Sequence, residues 1–332
     1  MPTYKQAGVN IEAGDEFIKR IKSNVRSTFS KSVLTDIGAF GAFFDARFKG
    51  FKSPVLVSST DGVGTKLKVA IMMNKHDTIG QDLVNHCVND IAVCGATPLF
   101  FLDYFAVGKL NLNVAEQVMN GLVKACKENN CSLIGGVTAE MPGIYKKDDY
   151  DLAGTIVGVV ERKKILSGNK VKAGDVVIGL PSTGLHTNGY SLARKILLQH
   201  FTVDKYIPEL KKTFGEALLT VHRSYLKPIQ TILQIEGVHA LAHITGGGIV
   251  GNTSRVIPKS LSLSVNWQAW KRPFIFQLIQ KTCNVPEEDM RRTFNLGIGL
   301  VVITSKNKTD NLIQLLKKIK EKPIVIGEVK KI

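Results

Sequence analysis

One unit recurs along this chain and constrains its fold more than any other feature: a short apolar run, a loop rich in glycine and hydroxyl residues, then an amphipathic segment. The first instance is "PVLVSSTDGVGTKLKVA" (residues 54–70). Val55, Leu56 and Val57 suit a buried strand, and Asp61, Gly62, Gly64, Thr65 and Lys66 follow at its end. Residues 78–94 read as a helix with Ile79, Leu83, Cys87 and Ile91 on one side and Asp82, His86, Asn89 and Asp90 on a second stripe. A strand over 98–107 carries Asp103 in its middle, a helix spans 114–130, and the strand "CSLIGG" runs into "VTAEMPG" with Glu140 ahead of Pro142. The second half repeats the grammar: "DVVIGL" leads into "PSTGLHTNGYSLARKIL" and "VHALAHI" into "TGGGIVGN", and a strand, a helix and a strand close the chain. Such alternation predicts mixed α/β, α+β-type layers. The charged stretch 161–174 reads as a boundary, and 332 residues at 44% hydrophobic content supply a core on each side of it. The expected domains are therefore 1–165 and 166–332.

The loops carry phosphate-type chemistry. The first is not a P-loop, because its glycine spacing differs and Thr65 precedes Lys66; a plain Asp-Gly turn is the bland alternative. In "STGLHTNGYSL", Ser182, Thr183, His186, Thr187 and Asn188 offer polar groups, Gly189 opens the backbone, and a helix start follows. A capped helix start is the competing reading there. Gly246, Gly247 and Gly248 are costly in chain entropy unless something approaches closely. Three such loops favour a binder of phosphorylated ligands. The carboxylates Asp61, Asp82, Asp90, Asp103 and Glu140 are hard to place as surface charge, since an unpaired carboxylate in a strand such as "FFLDYF" costs several kcal/mol. An oxygen-only ligand set suits Mg²⁺. His86 and His243 read as structural residues.

Other function classes recede. The net charge of +16 is spread along the chain, and its densest cluster, residues 315–323, reads as the wet face of an amphipathic helix. No basic stretch is interleaved with aromatics as single-strand binding requires, so no nucleic-acid partner is expected. No apolar run approaches the roughly 20 residues of a membrane span, and residues 1–17 lack an apolar leader core. Five cysteines without a C-x-x-C spacing read as free thiols of a cytoplasmic protein.

Six segments together carry a resemblance: "YKQAGVNIEAG", "DGVGTKLK", "HDTIGQDLVNHCVNDIAVCGATPLFFLDYFAVGKL", "GGVTAEMPGIY", "HTNGYSLARKIL" and "HITGGGI". In order and over nearly the whole length, the chain resembles the phosphoribosylformylglycinamidine cyclo-ligase (AIR synthetase) family, ATP users without a P-loop. The resemblance implies an N-terminal domain with a mostly antiparallel sheet that pairs with a second copy, and a C-terminal α/β domain. It implies ATP bound through Asp61, Gly62, Gly64, Thr65, Lys66 and Asp90, with Asp61 and Asp90 on Mg²⁺ and Lys66 on the phosphates. Asp61, Lys66, Glu140 and His186 would be the catalytic residues. Ser182, His186, Thr187, Asn188, Gly189 and Gly246–Gly248 would hold the phosphate of formylglycinamidine ribonucleotide, with His186 either binding phosphate or managing a proton. The implied reaction is ATP-dependent closure of that substrate to 5-aminoimidazole ribonucleotide.

Three positions depart from the family pattern: Val137 where Glu is usual, Ser59 for Gly and Leu185 for Pro. Val137 is expected to remove a carboxylate beside the metal. Two rival readings stand beside this one. Another ATP-dependent kinase or synthetase of the superfamily would share the scaffold, though selenophosphate synthetase needs a reactive residue near the N-terminus and the first cysteine here is Cys87. A basic binding module without catalysis is the other.

Overall fold

The computed structural model describes residues 6–332, so Tyr4 and Lys5 of the first motif and the start of the segment read for a leader lie outside the described residues. Contacts divide the chain into two units, one running to Ile91 and resuming over Thr97–Arg162, the other comprising Ala92–Ala96 and Lys163–Ile332. No described helix is long and apolar enough to cross a membrane.

Unit 1 contains α1 (Ile11–Arg26), β1 (Pro54–Gly62), α2 (Leu67–Met73), α3 (Ile79–Ala92), β2 (Thr97–Val107), α4 (Leu112–Glu128), β3 (Ser132–Glu140) and β4 (Tyr150–Glu161). Its sheet has the order β1-β4-β2-β3. The β1/β4 and β4/β2 pairs are antiparallel. The β2/β3 pair is parallel, and α4 supplies the crossover that a parallel pair requires. Side chains alternate between the two faces. Phe101, Phe105, Leu152 and Ile156 are buried on one face. On the other, Leu56, Tyr104 and Val137 remain 60%, 37% and 50% exposed. Helices α3 and α4 cross where both are glycine: a Cβ on Gly80 would meet the backbone oxygen of Val118 at 2.4 Å, and one on Gly121 that of Asp77 at 2.6 Å.

Unit 2 contains β5 (Val176–Pro181), α5 (Tyr190–Leu197), the short pair β6 (Tyr206–Ile207) and β7 (Lys212–Thr213), α6 (Phe214–Leu218), α7 (Leu226–Ile232), β8 (Val238–His243), α8 (Gly248–Thr253), β9 (Leu261–Val265), α9 (Phe274–Thr282), α10 (Glu287–Thr293), β10 (Ile298–Thr304), α11 (Thr309–Lys318) and β11 (Ile324–Lys331). The main sheet has the order β8-β10-β5-β11-β9, every pair antiparallel. Val177, Ala242, Val301, Ile303 and Ile326 form its core, and all of β10 is buried. Because β5 and β8 both run antiparallel to β10, which lies between them, their C-terminal ends emerge at the same end of the sheet. That topology, rather than sequence proximity, brings the two glycine-rich loops of this half together.

Candidate active site

In unit 1 the stripe on α3 meets the end of β1. Asp82, His86 and Asp90 stand four residues apart on one helix face. Asp61 lies on the helix-covered face of the sheet, in register with Gly154 of β4. His86 joins the two carboxylates: its Nε2 is 2.8 Å from Asp61 Oδ2 and 3.7 Å from Asp90 Oδ2. Burial alone would make His86 less basic, but the hydrogen bond to Asp61 and the charges of Asp90, Asp61 and Asp82 outweigh it and raise its pKa. From the sequence alone His86 reads as structural. The i+4 spacing from Asp82 and to Asp90 was the signal that could have found it.

Ser59, where the family usually has Gly, donates its hydroxyl to Asp90 Oδ2 at 3.1 Å. That departure therefore adds a donor to the carboxylate pair. Asp61 is 45% exposed and Asp90 26%, so oxygens of both reach the surface. An oxygen pair of this kind, open on one side, fits a hard divalent cation such as Mg²⁺. Gly64 and Thr65 are also exposed, and Gly64 has φ +66° with nothing within 4 Å of where a Cβ would stand. Gly62 donates its N–H to Asp61 Oδ1 at 2.7 Å.

Two expected members of this cluster sit elsewhere. Lys66 is wholly buried, with Nζ 2.8 Å from Asp82 Oδ2, and both side chains are 0% exposed. Burial lowers the Lys66 pKa against the pull of Asp82. In this conformation the ammonium faces inward and does not reach the surface shared by Asp61 and Thr65. The physical reason is mutual: each buried charge needs the other, and separating them strands both. Glu140, at the end of β3, accepts N–H groups from Asn10 at 2.5 Å and Leu110 at 2.7 Å, tying the start of α1 and the entry to α4 to its own strand. Val137 is not beside Asp61. It lies on the exposed sheet face of β3, three strands from β1, or about 14 Å at ordinary strand spacing. Asp103 is buried opposite Gly154 and Gly136, and burial pushes its carboxyl up to about 7.

In unit 2 the loops after β5 and β8 converge. A Cβ on Gly246 would stand 3.3 Å from Asn188 Oδ1. The segment entering β10 zips between them: Ser182 N–H donates to Gly297 O and Ile244 N–H to Gly299 O, both at 2.9 Å. Asn295, which the sequence reading missed, donates to Gly184 O at 2.9 Å and accepts from the Ser182 hydroxyl at 2.8 Å. Ser182 is thus part of the loop's frame. Helix α5 begins at Gly189, φ +78°, with no side-chain cap bond. The N-cap position itself is a glycine, so no side chain at that position closes the start of α5.

His186 is also interior. It is 1% exposed, adopts φ +63° and accepts the Thr183 N–H at Nε2, 3.2 Å away. Its ring stacks on His222 at 3.9 Å and 14°, and His222 Nε2 lies 3.0 Å from His243 Nε2. A nitrogen of each ring lies within 4.8 Å of the others, yet the arrangement suits proton sharing better than metal. Parallel ring planes leave no point in the plane of both His186 and His222, and ligation requires the ion close to each ring plane. The glycine run has internal causes: a Cβ on Gly248 would strike Arg291 O at 1.8 Å, and the Gly247 N–H already donates to Arg292 O at 2.9 Å. Asn188, half-buried, and the start of α5 lie at this end of the sheet.

Residues 49–160 match the AIR synthase related protein, N-terminal domain, and residues 172–331 the AIR synthase related protein, C-terminal domain. The phosphoribosylformylglycinamidine cyclo-ligase of Thermoanaerobacter pseudethanolicus is 50% identical over 328 residues, 98% of this chain and 97% of that protein. The chain belongs to the phosphoribosylformylglycinamidine cyclo-ligase family. The relative from Carboxydothermus hydrogenoformans, also 50% identical, covers 98% of this chain and 96% of its own. Among solved structures, thiamine-monophosphate kinase from Stenotrophomonas maltophilia superposes with TM-score 0.68 at 17% identity, covering 95% of this chain and 93% of that one. HypE of E. coli gives 0.69 at 18%, covering 95% and 91%. At such identities the likeness is one of fold, and it is shared beyond the cyclo-ligase family.

Proposed function

We propose that this protein closes formylglycinamidine ribonucleotide to 5-aminoimidazole ribonucleotide, using ATP and releasing ADP and phosphate. The observation that carries the reading is the Asp61–His86–Asp90 cluster at the end of β1, in a chain half identical to cyclo-ligases over almost its full length. A HypE structure with ATP shares the fold at TM-score 0.67 and 16% identity, which supports nucleotide use by the scaffold.

Mg²⁺ held by Asp61 and Asp90 would neutralise charge on the transferring phosphoryl group. Gly64 and Thr65, exposed and close behind Asp61 in the chain, would give the nucleotide phosphates a surface to bind. Transfer to the formyl oxygen turns it into a phosphate leaving group. An internal nitrogen of the substrate then attacks the same carbon, and phosphate departs as a proton leaves the nitrogen. Because the closure is intramolecular, the protein's task is to hold the folded conformer. Asn188 and the start of α5 would anchor the ribose phosphate. Lys66, paired with Asp82, fixes the 64–66 turn from within, and reaching a phosphate would require it to leave Asp82. We further infer a homodimer through the exposed face of the unit 1 sheet, and a cytoplasmic setting. The test is direct: purified protein, ATP, Mg²⁺ and formylglycinamidine ribonucleotide should give aminoimidazole ribonucleotide with one ADP per ring closed. ATP consumption only with an unrelated acceptor such as thiamine phosphate would refute it.

A further inference from the structure

Unit 1 holds a cavity that the carboxylate cluster does not use. Its volume is about 340 Å³, at the small end of the range for ligand sites. It lies at the opposite end of α2 from Lys66, where Ile71 and Asn74 meet the start of α4, the end of β2 and the start of β4. A seven-residue helix separates the two places by about 10 Å.

The cavity is graded. Its inner end is aromatic: Phe105 meets Tyr150 edge-on with ring centres 5.5 Å apart, and His76 meets Tyr150 at 5.6 Å. His76 Nδ1 and Tyr150 Oη share a hydrogen bond of 2.7 Å, and burial lowers the His76 pKa, so this floor is uncharged at neutral pH. The mouth is charged, with exposed Lys109, Lys147 and Asp148. The two chain segments that carry them run together. Gly108 N–H donates to Asp149 O at 2.9 Å, and a Cβ on Gly108 would meet Lys146 O at 1.9 Å, so only glycine lets the segments close. Lys68 neutralises Asp149 at 2.6 Å, leaving Asp148 as the one opposing charge among the lining residues. The cap of α4 plays no part, since Asn111 Oδ1 already accepts from Asn113 and Val114.

An uncharged aromatic floor beneath a lysine-flanked mouth matches a ligand with a flat ring at one end and an anion at the other. We propose that this cavity binds a nucleoside 5′-monophosphate, with its base against Phe105, Tyr150 and His76 and its phosphate between Lys109 and Lys147. Two lysines and this volume suit one phosphate rather than three. The site is separate from the Asp61–Asp90 cluster and stands whether or not that cluster performs ring closure.

Titration calorimetry on the full chain, without ATP or Mg²⁺, tests it with adenosine 5′-monophosphate, adenosine and ribose 5-phosphate as probes. The monophosphate should bind saturably, and each of the two fragments at least about tenfold more weakly. Lys109→Ala with Lys147→Ala should weaken the monophosphate at least about tenfold and flatten its salt dependence. Both lysines are exposed, so folding should survive, as an unchanged melting temperature would verify. Val114→Trp, which fills the cavity, should abolish binding, and Asp61→Asn should leave it intact. Absence of saturation at millimolar monophosphate overturns the proposal. Equal binding by ribose 5-phosphate overturns the assignment of the base, and loss in Asp61→Asn but not in the lysine variant relocates the nucleotide to the carboxylate cluster.

Discussion

Asp61 and Lys66 stand five positions apart, yet their side chains have opposite fates. Asp61 remains 45% exposed beside His86 and Asp90, whereas Lys66 is sealed against Asp82. Replacing Asp61 by Asn keeps shape and removes charge, so folding should persist while Mg²⁺-dependent turnover falls by about 10²-fold or more; near-normal turnover would remove Asp61 from the metal. Lys66→Met strands the Asp82 carboxylate in the interior and should cost about 3–5 kcal/mol in urea unfolding, whereas Lys66→Met with Asp82→Leu should recover most of it. Recovery of stability without recovery of activity would show that the pair also serves the reaction. If both variants were equally unstable, the pair would owe its stability to packing rather than to charge.

At the scale of elements, the loop after β5 separates two roles that the sequence joined. Asn188 is half-buried beside Gly246, while His186 lies beneath the loop, stacked on His222. Asn188→Ala should therefore raise the half-saturation for the phosphorylated substrate about tenfold, with ATP affinity and melting temperature unchanged. His186→Ala should lower the melting temperature as well, since it empties a buried ring site. Unaltered substrate affinity in both would move the phosphate site off this loop. Strand β2 offers a pH test. Asp103 has a folded pKa of about 7, above the ordinary carboxyl value of 3.8. A raised acid favours the folded state only while protonated, so stability present below about pH 4 is lost as pH rises towards 7. Asp103→Asn should match the parent near pH 4 and melt several degrees higher at pH 8. A constant difference across that range would mean that Asp103 is paired in solution.

For the whole molecule, the exposed sheet face of unit 1 sets the expectation. Leu56, Tyr104 and Val137 stand on it, while the opposite face is covered by helices. Apolar area of this kind is usually buried by association. Sedimentation at micromolar concentration should give a species of twice 36.4 kDa, and Tyr104→Glu with Val137→Glu should return it to the monomer. A single monomer mass for the parent would exclude the dimer. Val137 belongs to the same test: it is 50% exposed on this face, where a dimer would bury it.

The sequence alone determined the alternation of strands and helices, the polar stripe of α3 and the carboxylate at the end of β1, because period and turn chemistry are local. It also determined the family, because the motifs recur in order over the whole length. Only tertiary structure decided which polar residues meet. Lys66 reads as a phosphate ligand until the fold buries Asp82 against it, and His86 reads as filler until β1 places Asp61 within 2.8 Å. The glycines at 246–248 suggested a ligand's close approach, but an internal carbonyl occupies the space at Gly248. Asn295 carries no local signal, and its role exists only because β5 and β8 flank β10. Pairing partners in the two main sheets lie far apart in the chain, from Phe100 and Ser132 to Val176 and Glu328, and no periodicity within a segment encodes which of them will be neighbours.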